Sequence, residues 1–205
     1  MILSFLRTIK LSYFKYKFRL KNSHNRTYPK SNFPMASVSV GKGTYGPLKV
    51  IWMSGKETKL SIGNYCSIGP EVTFLVGGEH NYKRISTYPF QTFVYNEKTI
   101  DRKNNDIVIE DDVWIGFGVL IMSGVKVGKG SVIGARSIVT KDVPPYSIFV
   151  GNKVIKKRFP DVVIDKLLDL DFNTIAHKKG DLYQSYCQNE VDADNVDNII
   201  NKFKK

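Results

Sequence analysis

Residues 109 to 144 read IEDDVW IGFGVL IMSGVK VGKGSV IGARSI VTKDVP when they are written six at a time. The first residue of each hexad is aliphatic, and a small or β-branched residue returns at the fifth position. A period of six fits neither a lone helix nor a half-buried strand, whose side-chain periods are about 3.6 and 2 residues. It is typical of the hexapeptide repeats of parallel β-helices. The stretch therefore predicts an all-β solenoid whose stacked coils share one core.

The same register occurs earlier in the chain. Further hexads begin at Ile62 and Ile68, and the frame continues to Phe74. From Phe74 to Ile109 the offset is 35 residues, which is not a multiple of six. We therefore expect an excursion loop over residues 75–108, and loops of this length are usually functional or disordered. The alternative is a β-sandwich, but strand signals spaced by about eight to twelve residues would indicate that fold.

Helical patterns flank the repeats on both sides. Residues 2 to 21 combine apolar residues at helical spacing with lysine and arginine, which predicts a basic amphipathic helix. A second helix is predicted to begin after Pro160, and a weaker pattern covers residues 192 to 203. The predicted organisation is helix and linker over 1–37, repeats with their excursion loop over 38–151, and a helical extension over 152–205.

The amino-terminal helix has two interpretations. Its apolar and basic residues suit an anionic membrane surface, where burial and charge attraction act together. The same helix could instead cap the open end of the solenoid or pack on a neighbouring subunit. Its aromatic residues favour packing slightly.

Charge and cysteine content restrict the partners. The chain has 31 lysine and arginine residues, 19 acidic residues and a net charge of +12, which favours anionic partners. No nucleic-acid motif accompanies the basic residues, so nucleic acid is not expected as a partner. The two cysteines, Cys66 and Cys187, show no disulfide or metal-ligand spacing, so no metal is expected. Cys66 occupies a small-residue position of a repeat, which predicts a core role.

His80 is the candidate catalytic residue among three histidines. It lies in Gly77-Gly78-Glu79-His80 at the start of the excursion, where two glycines allow a tight turn beside a bound molecule. A histidine is well suited to removing a proton from a hydroxyl that attacks a carbonyl. On loop position alone, a histidine that only forms structural hydrogen bonds is the more common case.

Several runs together indicate a family. They are Ile62 to Gly69, Gly78 to Asn81, Ser86 to Phe90, Asp112 to Gly116, and Ile133 to Tyr146. With them the chain resembles the hexapeptide-repeat acyltransferases, in particular the branch of chloramphenicol and streptogramin acetyltransferases and their sugar-modifying relatives. The resemblance covers roughly residues 38 to 160. It implies a left-handed parallel β-helix, a homotrimer, and active sites between neighbouring subunits.

The resemblance also implies roles for individual residues. His80 matches the catalytic base, which deprotonates an acceptor hydroxyl for direct attack on the thioester of acetyl-CoA. The acceptor would contact Asn81, Tyr82 and Tyr88. Residues implied to bind acetyl-CoA are Trp114, Gly116, Phe117, Gly134, Ala135, Thr140, Lys141 and Arg158. On residue type alone, coil packing explains Trp114 equally well.

Three departures from the family pattern affect the assignments of the site residues and of the substrate. Phe117 occupies a position where relatives commonly have serine, glycine or alanine facing the cofactor groove. After Gly151 the chain is two residues shorter than its relatives are before Arg158, which bears on the assignment of this residue to the CoA phosphates. The segment after Arg158 lacks the tryptophan-rich part that is typical of the antibiotic acetyltransferases.

The leading functional hypothesis is therefore an acetyl-CoA-dependent O-acetyltransferase that modifies a sugar hydroxyl of a surface polysaccharide or its precursor. Alternative hypotheses are a xenobiotic O-acetyltransferase, an amino-sugar N-acetyltransferase, and a non-enzymatic scaffold or membrane-surface adaptor. The apolar start of the chain has no preceding positive region, so it is not predicted to be a secretory signal. We therefore expect a cytoplasmic location, which includes the inner face of the membrane.

Overall fold

A computed structural model of the protein describes residues 2–53, 57–97, 105–172 and 190–204. The strands are β1 Arg26–Pro29, β2 Val38–Val40, β3 Tyr45–Met53, β4 Leu60–Ile62, β5 Ser67–Ile68, β6 Thr73–Gly77, β7 Ile107–Ile109, β8 Trp114–Ile115, β9 Leu120–Ile121, β10 Lys126–Val127, β11 Val132–Ile133, β12 Ile138–Val139, β13 Ser147–Val150 and β14 Lys153–Lys157. The helices are α1 Ile2–Lys21, α2 Phe90–Phe93, α3 Asp161–Leu168 and α4 Val196–Lys204.

The repeat strands pair in parallel with a constant offset. β7 pairs with β10, β8 with β11 and β9 with β12, and each pair joins residues eighteen positions apart. Eighteen residues are three hexads, so each of these strands lies beside the strand three hexads earlier in the chain. Strand order is β10-β7-β4-β2 in one sheet and β12-β9-β6-β3-β5-β8-β11-β13-β14 in the other, with β1 also paired to β3.

Backbone conformation repeats with the same period. Residues with positive φ recur at every sixth position after the excursion: Asp112, Gly118, Gly124, Gly130 and Arg136. Before the excursion they are Tyr65, Glu71 and Gly77. The left-handed conformation turns the chain between two short strands, and glycine adopts it without steric cost. The six-residue repeat predicted from the sequence is thereby confirmed.

The aliphatic anchors of the hexads form the core. Ile115, Ile121, Val127 and Val139 have no exposed surface, and Ile109 and Ile133 are only 1% exposed. Two serines also lie in this core, and each satisfies its hydroxyl by donating to a backbone carbonyl: Ser131 to Pro144 at 2.8 Å and Ser137 to Gly134 at 2.7 Å. Cys66 is fully buried, and burial raises the pKa of its thiol to about 12. A thiol in that state is a packing residue rather than a nucleophile.

The segment between α1 and the repeats is more ordered than its composition predicts. The asparagine, serine and proline residues of this segment favour a linker, yet Arg26–Pro29 forms β1 and pairs in parallel with β3. Thr27 and Pro29 are buried, and they alternate with exposed residues along the strand. The buried Asn25 side chain accepts a hydrogen bond from the Thr27 hydroxyl at 2.7 Å. The strand forms because β3 offers an open edge, a partner that local sequence patterns do not report.

Helices pack at both ends of the described chain. The rings of Phe14 and Phe18 in α1 contact Phe33 edge to face, with centroids 5.0 and 5.9 Å apart. α3 follows Pro160 and packs against α4 and Tyr146 through a small second core. β14 was not predicted from the sequence, and it pairs antiparallel with β13. Among the described residues, every helix is too short or too polar to span a membrane.

Candidate functional site

The excursion leaves the repeats at the end of β6. Gly77 and Gly78 both have positive φ, at 78° and 89°. A Cβ atom at Gly78 would lie 2.2 Å from the Met53 methyl carbon, so the chain passes tightly over the end of β3. These two glycines redirect the backbone out of the ladder immediately before His80. β6 ends at Gly77 and β7 begins at Ile107, so both strands extend into the range 75–108 that the sequence predicts for the excursion.

Hydrogen bonds tie the two ends of the excursion together. The Gly77 amide donates to the Ser123 hydroxyl at 3.1 Å, and that hydroxyl donates to the Asn105 carbonyl at 2.9 Å. The Asn105 side chain then donates to Glu79 at 2.7 Å. This closed set of bonds fixes the residue next to His80 to the repeat that follows the loop.

The imidazole of His80 is held by a backbone carbonyl. Its Nδ1 atom lies 2.7 Å from the Thr87 carbonyl oxygen. A carbonyl oxygen only accepts hydrogen bonds, so Nδ1 must be the protonated nitrogen. In the neutral ring, Nε2 then has the free lone pair. This bond fixes the tautomer in which Nε2 can accept a proton, as general base catalysis by histidine requires.

A pocket of about 400 Å³ lies beside His80. Its walls mix polar and aromatic groups from the excursion with one side chain from β3: Met53, Glu79, His80, Asn81, Arg84, Ser86, Thr87, Tyr88, Pro89, Thr92 and Phe93. The Tyr88 ring packs edge to face on Phe90 at 4.9 Å, which supports the aromatic wall. The volume and the mixed walls suit a small polar ligand with one or two hydrophobic faces. We refer to this space as the His80 pocket.

The three predicted acceptor-binding residues have different positions. Asn81 and Tyr88 line the His80 pocket, whereas Tyr82 lies outside its lining and is 79% exposed. The Asn81 Oδ1 atom also accepts a hydrogen bond from the Lys83 amide at 3.0 Å, which holds the turn after His80. Asn81 and Tyr88 therefore share this pocket with the candidate base, whereas Tyr82 is not among the residues that line it.

Five of the predicted acetyl-CoA residues lie at one corner of the stacked repeats. β8 pairs with β11, so the segment from Trp114 to Phe117 lies beside Gly134 and Ala135. A Cβ atom at Gly116 would lie 2.7 Å from the Ala135 amide nitrogen, so the two turns are in close contact. Trp114 is 58% exposed and Phe117 is 42% exposed, which leaves an aromatic surface at this corner.

Phe117 is partly covered by a neighbouring cation. The guanidinium carbon of Arg136 lies 4.6 Å from the Phe117 ring centroid. The Arg136 amide also donates to the Phe117 carbonyl at 2.8 Å. This bulky ring, at a position where the resemblance implies a small residue, is therefore stabilised within this chain by stacking.

Thr140 and Lys141 lie at a different corner. They follow β12, which pairs with β9, and β9 pairs with β6. This ladder is the one from which the excursion leaves. Two strand spacings separate β12 from β6, a distance of roughly 10 Å. Seven of the eight predicted cofactor residues thus form two groups, and the Thr140 group shares a ladder with the base of the His80 loop.

Arg158 is already engaged within the chain. Its Nη1 atom donates to the Gly130 carbonyl and lies 3.6 Å from Asp112 Oδ2, and its guanidinium stacks 5.0 Å from the Phe159 ring centroid. Burial raises the pKa of the Asp112 carboxyl, and Arg158 opposes that rise. These contacts fix the segment after the repeats onto the corner at Asp112.

The Arg158→Ala variant tests this structural pairing. We expect its free energy of unfolding to fall by about 1–2 kcal/mol, because Asp112 and the Gly130 carbonyl each lose a partner. Chemical denaturation measures the change, and Lys156→Ala, at an exposed position in β14, should stay within about 0.5 kcal/mol of the parent. Unchanged stability together with a tenfold loss of acetyl-CoA affinity would contradict this assignment and favour a phosphate-binding role.

Some features of the site had no sequence signal. The Thr87 carbonyl that holds His80 is a backbone atom, although Thr87 lies within the matching run from Ser86 to Phe90. The bonds joining Glu79, Asn105 and Ser123 connect parts of the chain 18 to 26 residues apart. Among the described residues, no three His, Cys, Asp or Glu side chains gather as a metal site would require.

Comparison with known proteins gives one family and several relatives. Residues 106–141 match the model of the bacterial transferase hexapeptide family (six repeats). A chloramphenicol acetyltransferase from Escherichia coli is 45% identical over 123 residues, which are 55% of this chain and 58% of that protein. A probable macrolide acetyltransferase from Lysinibacillus sphaericus is 47% identical, covering 56% of this chain and 68% of the relative.

Two further proteins extend the comparison. A galactoside O-acetyltransferase from Lactococcus lactis is 34% identical, covering 74% of this chain and 64% of that protein. A hexapeptide-repeat-containing acetyltransferase from Vibrio cholerae, solved in complex with acetyl coenzyme A, has a TM-score of 0.50 at 26% identity, covering 71% and 78% of the two chains. The chain spans less than two thirds of the length of the chloramphenicol acetyltransferases that it matches.

Proposed function

Because the chain belongs to the bacterial transferase hexapeptide family, we propose that it is an acetyl-CoA-dependent O-acetyltransferase acting on a sugar hydroxyl of a surface polysaccharide or its precursor. The observation on which the proposal depends is the bond from His80 Nδ1 to the Thr87 carbonyl beside the His80 pocket. It gives the loop histidine the tautomer and the location that a general base needs.

The proposal includes a finer view of the fold and assembly. In this proposal the repeats of the chain form a left-handed parallel β-helix. The eighteen-residue pairing offset supports three hexads per coil. Three copies assemble so that the excursion of one copy faces the repeat corner of the next. The exposed aromatic surface at Trp114 and Phe117 supports this arrangement, because such a surface is unusual on an unpartnered protein.

The proposed reaction is a direct acyl transfer. His80 Nε2 accepts the proton of the acceptor hydroxyl as the hydroxyl oxygen forms a bond to the acetyl carbonyl carbon. The carbon–sulfur bond of the thioester breaks, and the proton passes from His80 to the leaving sulfur, which gives free CoA and an acetyl ester. No acyl-enzyme forms, so the chain needs only one positioned imidazole and two adjacent binding sites.

The groups around the reacting atoms have separate proposed roles. Asn81 and Tyr88 contact the acceptor in the His80 pocket, and Tyr82 contacts its outer part. The acetyl-CoA groove is formed by Trp114, Gly116, Phe117, Gly134, Ala135, Thr140 and Lys141. In this proposal Arg158 mainly fixes the segment after the repeats, and no metal takes part.

A sugar acceptor is supported by two observations. The relative from Lactococcus lactis is named for a galactoside substrate and matches 74% of this chain. The part of the chain after Arg158 also lacks the tryptophan-rich segment that is typical of antibiotic acetyltransferases. The proposed location is the cytoplasm, where acetyl-CoA is available.

A second candidate is acetylation of an antibiotic. Relatives named for chloramphenicol and for a macrolide are 45% and 47% identical. Release of free CoA thiol from acetyl-CoA distinguishes the candidates when sugars, nucleotide sugars, amino sugars and these antibiotics are tested as acceptors with the purified protein. Turnover with a drug alone would overturn the sugar proposal, and turnover with an amino sugar alone would favour N-acetylation.

Acetyl-CoA binding is the first test of the proposal. At a hundredfold excess over its dissociation constant, a ligand of the folded state stabilises it by about 2.7 kcal/mol. For a chain of this size we expect Tm to rise by about 5–10 °C in a thermal shift measurement. Ala135→Trp should abolish the shift by filling the groove, whereas Ala36→Trp, at another exposed alanine, should retain it. No shift in the parent would indicate a non-enzymatic scaffold.

A further inference from the structure

Helix α1 has two apolar faces on opposite sides. The inner face packs on the body of the protein through Phe18, which has no exposed surface, and through Phe14 against Phe33. The outer face presents Leu6, Ile9, Tyr13, Tyr16 and Leu20, which are 50–64% exposed. These five residues follow one another at alternating steps of three and four, so they form one continuous stripe along the helix. We call them the outer stripe.

The charge around the outer stripe has a single sign. α1 contains six basic residues, which are Arg7, Lys10, Lys15, Lys17, Arg19 and Lys21. The same helix contains no aspartate or glutamate. Lys10 and Lys17 lie directly beside the stripe, and the Lys17 ammonium lies 4.6 Å from the Tyr13 ring centroid. The apolar surface is therefore bordered by cations with flexible stems.

We propose that the outer stripe lies in the interface of an anionic lipid membrane. Helices of this kind lie parallel to the membrane plane, bury their apolar face among the acyl chains and place lysines at the headgroups. Tyrosine suits the interface because its ring is apolar and its hydroxyl remains hydrated. Anionic lipid complements Lys10 and Lys17, the exposed cations beside the stripe, on a helix that contains no acidic residue.

A second copy of this chain is a less suitable occupant of the stripe. Steps of three and four also occur in coiled coils, where residues flanking the seam form pairs of opposite charge. Here the flanking residues include Lys10 and Lys17, so two α1 helices would bring like charges together. The inner face already fixes α1 to the protein body, so no other part of the chain is needed to present the outer stripe to a membrane.

Vesicle binding tests this proposal independently of acetyl transfer. The full chain is sedimented with vesicles of phosphatidylcholine alone and of phosphatidylcholine with phosphatidylglycerol, at about 0.1 M and about 0.5 M salt. We expect binding only to the anionic vesicles and weaker binding at the higher salt. The double variant Lys10→Gln/Lys17→Gln should bind about thirtyfold more weakly. Lys153→Gln/Lys156→Gln, the same charge change on exposed β14 residues, should bind like the parent.

The apolar part is tested by Ile9→Ser/Leu20→Ser. We expect its binding to fall by at least about tenfold with the circular dichroism spectrum unchanged, because both residues lie outside the packed face. Val154→Ser/Ile155→Ser, on exposed β14 residues, is the matched control. Equal binding to neutral vesicles, or parent-like binding by the outer-stripe variant, would overturn the proposal. A smaller oligomer of that variant in sedimentation velocity would also overturn it, in favour of a second copy on the stripe.

Discussion

Replacing His80 with alanine should lower kcat with a hydroxyl acceptor by about a hundredfold to ten-thousandfold. The reason is that the proposed mechanism assigns removal of the hydroxyl proton to His80 Nε2 alone. The Thr87 carbonyl keeps Nδ1 protonated, so the neutral ring always presents its lone pair at the other nitrogen. Acetyl-CoA binding should be nearly unchanged, because the proposed groove residues lie on the repeats. Steady-state release of CoA thiol measures the rate, and thermal shift measures binding.

His24 provides the matched control for this variant. It is also exposed, and its Nε2 lies 2.8 Å from the Val40 carbonyl, so it is a second histidine held by a backbone oxygen. We expect His24→Ala to retain parental turnover, because it lies in the segment between α1 and the repeats. Parental turnover in His80→Ala, with an oligomer of unchanged size, would remove His80 from the role of base. A loss confined to hydroxyl acceptors, with amine acceptors still used, would agree with the base role, since a free amine needs less help.

The fold was predictable wherever its determinants are local. The hexad period places Ile115, Ile121 and Ile133 in the core, and every sixth residue turns the chain. Strand pairing between distant segments was not predictable in the same way. β1 forms on the edge of β3, and β14 folds back on β13, although neither segment has the hexad pattern. Both depend on an open neighbouring edge, which is a property of the assembled sheet.

The candidate site likewise combines features that are visible in the sequence with features that only the folded chain creates. His80 was identifiable because its residue type, its glycines and its place in an interruption of the repeats are all visible in the sequence. The Thr87 carbonyl was not, because every residue has one and only the folded loop selects it. The pairing of Arg158 with Asp112 joins residues 46 positions apart, and it gives a structural partner to a side chain expected to bind phosphate. Side-chain identity alone does not distinguish those two uses of an arginine.

Ile121→Ala should lower the free energy of unfolding by about 2–5 kcal/mol. Ile121 has no exposed surface, and its strand pairs with β6 on one side and β12 on the other. Truncation leaves a cavity in a narrow core, and the paired strands limit how far the surroundings can collapse into it. Because β6 leads directly into the His80 loop, we also expect this variant to lose turnover at a lower temperature than the parent.

Ile155→Ala is the control, since it removes the same atoms from a side chain that is 56% exposed in β14. It should change stability by no more than about 0.5 kcal/mol. Urea denaturation followed by circular dichroism measures both variants, at one fixed protomer concentration because any oligomer makes stability depend on concentration. If the two variants were equally stable, the hexad anchors would not form a tightly packed core. The repeat would then be a sequence pattern without the energetic role that its burial indicates.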